Sequence, residues 1–208
     1  VRLFRQFFAA QSKVGASGVC PVVKWMHHPE QGHSEVLLCG WDHPGLIVRI
    51  CGAFLAARVN ILSADIHTRT DNLVLDIFRV CDAKHQPVAN EKDHRHFERL
   101  LDEGLQDPDF DFAPHIAKAR ARTGYRMSQE ADLPTRITID NRSHPAFTIV
   151  DLETPDRMGL LYDLFAVLDR QELNLELARI TTEKEVAMDT FYLSRAENSA
   201  KVSGEREV

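Results

Sequence analysis

Two stretches of this chain repeat each other. An Asp-x-x-Gly-Leu motif at residues 42–46 occurs again at 156–160, and Asn60-Ile61 recurs as Asn174-Leu175, in both cases 114 positions later. An aspartate two residues before a phenylalanine recurs with a slip of one position, as Asp76 and Asp189. A turn between two strands absorbs a one-residue deletion at little cost. The chain is therefore predicted to contain two copies of one small unit.

Both copies have the same predicted order of elements. Alternating apolar residues predict eight strands, at 20–28, 35–41, 60–68, 73–80, 136–140, 147–153, 174–182 and 186–193. A helix with an apolar stripe follows each Asp-x-x-Gly-Leu motif, with Asp42 as a predicted cap and Pro44 in the first turn of the first one. The predicted fold class is α+β, with two ferredoxin-like sandwiches. Each is a four-stranded antiparallel sheet with helices on one face, in the order ββαββα.

The two copies differ at their ends. Asn90 is a predicted cap for a final helix in the first copy, and its counterpart in the second would begin near residue 203 of a 208-residue chain. The last helix of the second unit is therefore predicted to be missing. The predicted domains are an N-terminal helical segment, the first unit, a linker with one short helix, and a truncated second unit, at 1–19, 20–106, 107–134 and 135–208.

Composition excludes several classes of function. The net charge of −6 gives no electrostatic attraction for nucleic acid or anionic membranes, and no apolar run is long enough to span a bilayer. The chain begins at Val1, so we expect a fragment or a processed product. Four cysteines in apolar runs, without a C-x-x-C pair, predict buried thiols in a reducing, cytoplasmic compartment.

The repeated motifs are the candidate ligand-binding elements. The first turn of a helix presents free N–H groups that attract a carboxylate, and a glycine lets a ligand approach the backbone. An adjacent aspartate adds a partner for an ammonium group, so the site suits an amino acid. An equally good interpretation is that Asp caps the helix and Gly only packs. The candidates are Asp42, His43, Gly45, Leu46, Asn60 and Ile61 in the first copy, and Asp156, Arg157, Gly159, Leu160, Asn174 and Leu175 in the second.

Other polar residues leave alternatives open or exclude chemistry. Asn60 and Asn174 fit either turn positions or hydrogen bonds to a ligand. Asp76 and Asp189 fit either structural pairing or exposure on the open face of the sheet. His94 and His96 would point to different faces of a helix, so no metal site is predicted. No nucleotide-binding or catalytic motif is present, and no catalytic residue is predicted.

The motifs resemble ACT domains, which are small regulatory modules that bind amino acids. The second copy, with Pro134–Asn141, Thr148–Asp151 and Asp156–Leu164, looks like the C-terminal tandem of the uridylyltransferase/uridylyl-removing enzymes that modify the PII nitrogen-signal protein. The usual core of that family is Asp-Arg-Pro-Gly-Leu. This chain has His43 in place of the first Arg and Met158 in place of the second Pro.

The resemblance implies a regulatory role. It predicts a glutamine-sensing region with a site near a strand–helix junction, shared between the units, that controls uridylylation and deuridylylation of PII through the catalytic domains of the parent chain. It predicts no cofactor in this fragment, Mg or Mn for the parent, no nucleic-acid or membrane partner, and compatibility with a homodimer. The alternatives are a free-standing tandem ACT protein that binds amino acids and a pure protein-interaction module.

Overall fold

A computed structural model describes residues 21–69, 71–123, 134–183 and 185–202. The strands are β1 (Val22–His28), β2 (His33–Trp41), β3 (Asn60–His67), β4 (Leu73–Cys81), β5 (Arg136–Asp140), β6 (Thr148–Pro155), β7 (Leu173–Glu183) and β8 (Val186–Arg195). The helices are α1 (Leu46–Ala56), α2 (Glu91–Gln106), α3 (Ala113–Thr123) and α4 (Leu160–Arg170). The predicted α+β class is confirmed. The helical segment predicted at 1–19 lies outside the described residues.

The two copies share one sheet. Its eight strands follow the order β1-β2-β4-β3-β7-β8-β6-β5, and all neighbouring strands are antiparallel. Each copy contributes four adjacent strands, and the copies join where β3 pairs with β7. This pairing satisfies the backbone of two strands that would otherwise be exposed edges.

The β3–β7 junction has an approximate two-fold axis. Asp65 pairs with Arg179, and these residues occupy equivalent positions, 114 apart, in the two copies. On either side of this pair, Ala64 pairs with Ile180 and Ile66 pairs with Ala178. The same axis exchanges these two pairs. Such an isologous contact places the same patch of each copy against the other. Residues near the axis therefore face elements of the opposite copy.

The helices and the sheet enclose one continuous core. It contains Phe54, Phe78 and Phe97 from the first copy and Phe165 and Phe191 from the second, all at most 4% exposed. Helix α1 lies at the centre of the helical layer, in contact with α2, α3 and α4. Among the described residues, no helix is both long and apolar enough to cross a membrane. Three of the four cysteines, Cys39, Cys51 and Cys81, are buried free thiols; Cys20 lies outside the described residues.

Helix α2 covers the outer strand of the first copy. The Asn90 side chain accepts a hydrogen bond of 2.9 Å from the Lys92 N–H, which confirms the predicted cap. The Trp25 ring on β1 lies under the helix and edge-on to the Phe97 ring. Its Nε1–H donates a hydrogen bond of 3.1 Å to the Glu98 carboxylate. Within the described residues, no helix of the second copy occupies the corresponding place.

Candidate functional site

Both Asp-x-x-Gly-Leu motifs form the same turn. Gly45 (φ 76°) and Gly159 (φ 83°) are left-handed and immediately precede α1 and α4, a conformation that disfavours any side chain. The predicted capping by Asp42 is wrong. Gly45 occupies the N-cap position, no side chain hydrogen-bonds to the helix end, and Pro44 precedes the helix rather than lying in its first turn. The left-handed glycine turns the chain, so the aspartate is left outside the helix.

The candidate residues line two cavities, and each cavity draws on both copies. We call them the closed cavity and the open cavity. The closed cavity, of about 20 Å³, is lined by Asn60, Ile61, Asp156, Arg157, Gly159 and Leu160. The open cavity, of about 990 Å³, is lined by Asp42, His43, Gly45, Leu46, Asn174 and Leu175. Each motif therefore faces the asparagine-bearing strand of the other copy, as the approximate two-fold axis requires.

The two cavities differ greatly in the room they offer. The closed cavity can hold about one water molecule. The open cavity is at the upper end of the roughly 300–1,000 Å³ typical of small-molecule sites. The residues Ile47 and Val48, in the first turn of α1, line the open cavity, and N–H groups at this point of a helix have no carbonyl partner four residues earlier. A ligand carboxylate would find donors there.

A single pair of equivalent positions accounts for part of this difference. A Cβ atom on Gly159 would lie 2.6 Å from Cδ2 of Leu55, so the leucine fills the space beside the turn. The counterpart of Leu55 is Asp169, an exposed residue whose Oδ1 is 3.6 Å from the Cβ position of Gly45. The larger apolar side chain closes one cavity, and the shorter polar one leaves the other open.

The linker helix α3 also brings a charged side chain close to the second motif. Its Arg120 lies 3.5 Å from Asp163 in the first turn of α4, and Arg157 lies 2.5 Å from the same carboxylate. Arg120 also reaches to within 3.4 Å of the Cβ position of Gly159. These guanidinium groups lie beside the Asp156 motif, where an incoming ligand would need space.

The start of the linker is anchored on α1. Arg49, the counterpart of Asp163, donates to the backbone oxygens of Gly104, Asp107 and Pro108. The Phe112 ring then packs where α1 and α2 carry glycines, since a Cβ on Gly52 would lie 3.0 Å from it and one on Gly104 2.6 Å. The linker is thus held across α1 and directed toward α4.

A buried aspartate lies close to each motif. Asp76 and Asp189 are each 2% exposed, on the helix-covered face of the sheet, so exposure on the open face, one of the two alternatives for these residues, is wrong. The His67 N–H donates to Asp76 Oδ1 at 3.2 Å, and the equivalent Thr181 N–H donates to Asp189 Oδ1 at 3.3 Å. Burial, helped by the nearby charges of Asp42 and Asp156, raises the pKa of Asp76 and of Asp189 to about 7.

The open cavity is electrically negative. Burial also raises the pKa of Asp42, which hydrogen-bonds to Thr68. The only guanidinium among its lining residues is Arg69, which forms an ion pair with Asp71 at 3.0 Å. The carboxylates that line it are Asp42, Asp76, Asp169, Glu172, Glu176 and Glu197. An ammonium group would be attracted to this cavity. Sequence reasoning missed most of these residues because they carry no motif of their own.

Comparison with known proteins identifies relatives of the chain. No family model matches the chain. The chain is 32% identical over 167 residues to the bifunctional uridylyltransferase/uridylyl-removing enzyme of Gluconobacter oxydans. The aligned region covers 79% of this chain and 17% of the relative. The enzyme of the same description from Azospirillum brasilense is 33% identical over 169 residues, 77% of this chain and 17% of the relative. The chain is homologous to a C-terminal region of uridylyltransferase/uridylyl-removing enzymes.

The resemblance inferred from the motifs is thereby confirmed. The chain spans less than a fifth of the length of these uridylyltransferase/uridylyl-removing enzymes. No cofactor is expected of the region that it matches. Among solved structures, the chain is similar to an aspartate kinase from Synechocystis, with a TM-score of 0.42 and 13% identity over 95% of this chain and 36% of the kinase. That similarity is too weak to bear on the site.

Proposed function

We propose that this chain is the glutamine-sensing regulatory region of a uridylyltransferase/uridylyl-removing enzyme. Glutamine binding would favour removal of uridylyl groups from the PII protein over their attachment. The observation that supports this function is the open cavity, which combines a helix N-terminus from one unit with an asparagine-bearing strand from the other. The buried free thiols of Cys39, Cys51 and Cys81 fit a protein that works in the cytoplasm.

The open cavity, and not the closed one, is the proposed binding site. The ligand carboxylate accepts hydrogen bonds from the N–H groups at the start of α1. The ligand ammonium group lies near Asp42 and Asp76. Asn174 is available for the side-chain amide that distinguishes glutamine from glutamate. The closed cavity has no room for an amino acid. The chain therefore binds one ligand rather than two.

A ligand in this position couples binding to the arrangement of the units. It contacts α1 of the first copy and β7 of the second, so its affinity depends on how the copies dock. A ligand shifts such an equilibrium only by the difference of its affinities for the two states. Typical coupling free energies, about 1–3 kcal/mol, change an affinity roughly 5- to 150-fold. This range is sufficient to bias two opposing activities of a parent enzyme.

Calorimetric titration with the common amino acids tests the proposal. We expect glutamine to bind with a stoichiometry of one. Asp42→Ala should weaken binding by about 1–3 kcal/mol, the cost of losing a hydrogen bond to a charged group. Asp156→Ala is the matched control, because it makes the same change in the closed cavity and should leave the affinity unchanged. Absence of binding by every amino acid, or equal effects of the two variants, would contradict the proposal.

A role as a protein-interaction module is a second candidate. Ile137 and Ile139 on β5 are 61% and 65% exposed and lie on the helix side of the sheet, opposite Leu152 and Val150 in the β5–β6 ladder. Their counterparts in the first copy, Val23 and Trp25, are partly buried in the core. A pair of exposed aliphatic residues on an otherwise covered face favours a contact with another protein surface. We propose a second copy of this chain as that surface.

A further inference from the structure

The β1–β2 hairpin collects three metal-binding side chains at its tip. His28 and His33 are directly opposite each other in the β1–β2 ladder, and Glu35 follows two residues along β2. Cross-strand partners, and residues two apart on a strand, lie on the same face of a sheet. One ligand atom from each of the three lies within 4.8 Å of the other two.

Each imidazole ring has an oxygen atom near its Nδ1. Nδ1 of His33 is 3.4 Å from the backbone oxygen of Gln31, and Nδ1 of His28 is 3.7 Å from the carboxylate of Glu30. Nδ1–H can face these oxygens, so Nε2 of each ring is left to act as a ligand. Nε2 of His28 is buried and has no hydrogen-bond partner within the described part of the chain.

The Glu35 carboxylate likewise has a neighbour near one of its oxygens. Arg79 Nε donates to its Oε1 at 3.2 Å, and Oε2 lies 3.5 Å from Nε2 of His28. The charge of Arg79 is shared with Asp65, 3.9 Å away on β3. One carboxylate oxygen is therefore fixed by a neighbour, and the other points toward the two histidines. Hydrogen bonds of this kind to ligating groups are usual around protein metal sites.

We propose that this hairpin binds one divalent ion of the zinc class through His28, His33 and Glu35. Two imidazoles and one carboxylate suit Zn²⁺ better than Mg²⁺ or Ca²⁺, which prefer oxygen ligands. Zinc bonds of about 2.0–2.2 Å in a tetrahedron bring the ligand atoms to roughly 3.3–3.6 Å of one another. Small side-chain rotations from the present separation are enough to reach this. Water completes the fourth position.

The proposed ion ties the two strands of the hairpin together and does not touch the amino-acid site. The signal for it is weak in the sequence, because His28 is separated from His33 and Glu35 by a turn. Only the register of the hairpin brings the three residues to one face. Binding to the folded state alone should raise the melting temperature in proportion to the logarithm of the zinc concentration.

Titration of the metal-free protein with Zn²⁺ in competition with a chromophoric chelator tests the proposal. We expect one saturable equivalent and, with Co²⁺, the intense visible absorption of a tetrahedral ion. His28→Ala and His33→Ala should each weaken zinc binding at least tenfold. His27→Ala is the control, since His27 is on the other face of the same strand, with Nδ1 2.9 Å from Ser34 Oγ.

Glu35→Gln keeps the shape of the side chain and provides a variant that should fold normally. It should weaken zinc binding while leaving the melting temperature of the metal-free protein near that of the wild type. The proposal is overturned if zinc does not bind saturably at micromolar concentration. It is also overturned if the His27 and His28 variants lose zinc equally, or if the cobalt complex shows only the weak absorption of an octahedral ion.

Discussion

At the scale of single residues, two buried carboxyl groups make stability depend on pH. The pKa values of Asp76 and Asp189 are raised from the ordinary value of 3.8 to about 7. Between these values the folded protein retains protons that the unfolded chain has lost. The contribution of each group to stability is therefore complete below about pH 4 and is lost as the pH rises through 7.

Asp76→Asn and Asp189→Asn test this dependence. Each variant removes one ionisable group and keeps the size of the side chain. We expect the free energy of unfolding to fall less between pH 5 and pH 8 in each variant than in the wild type, by roughly 1–3 kcal/mol per site. Urea denaturation at the two pH values measures the difference. Identical pH profiles for wild type and both variants would show that the carboxyl groups titrate normally.

At the scale of elements, we expect helix α3 to limit access to the closed cavity. Its Arg120, with 49% of the side chain exposed, reaches the Asp163 carboxylate beside the closed cavity, and Arg122 on the same helix is also exposed. Arg120→Ala should loosen the end of α3, since a surface ion pair contributes about 0.5–1 kcal/mol, equivalent to a roughly two- to fivefold change in an opening equilibrium. Arg122→Ala is the matched control on the same helix.

The thiol of Cys51 reports this opening without any ligand. Cys51 is 2% exposed and lines the closed cavity. Labelling by a thiol reagent, followed residue by residue with mass spectrometry, should proceed about two to five times faster at Cys51 in Arg120→Ala than in the wild type. Unchanged labelling in Arg120→Ala, or equal acceleration in Arg122→Ala, would show that Arg120 does not control access. This result would leave the amino-acid site of the open cavity unaffected.

At the scale of the whole molecule, the two ends of the sheet are covered unequally. Helix α2 lies over β1, and Ile137 and Ile139 on β5 are exposed. We expect two copies of the chain to cover these residues with each other and to sediment as a dimer. Ile137→Ser combined with Ile139→Ser should shift the sedimentation coefficient to that of a monomer. Thr138→Ser, on the opposite face of β5, is the control and should leave the dimer intact. A monomeric wild type would refute this assembly.

The sequence by itself determined the repeat, the order of strands and helices, the Asn90 cap and the resemblance to uridylyltransferase/uridylyl-removing enzymes. These depend on local periodicity, turn residues and motif spacing, all of which act within a few residues. It also identified twelve of the residues that line the two cavities, because the repeat marks them twice. The β3–β7 pairing then decided which motif faces which asparagine. That pairing joins residues more than 100 positions apart, and no local pattern encodes it.

Tertiary structure alone decided that two equivalent motifs form unequal sites. Leu55 and Asp169 are ordinary residues in their own helices, and only the packing of α1 against α4 places each beside a glycine turn of the other copy. The burial of Asp76 likewise depends on the helices that cover the sheet, and the sequence had left both structural pairing and exposure open for this residue. The physical reason is common to these cases: burial and cavity shape are properties of several chain segments together, whereas sequence patterns describe one segment at a time.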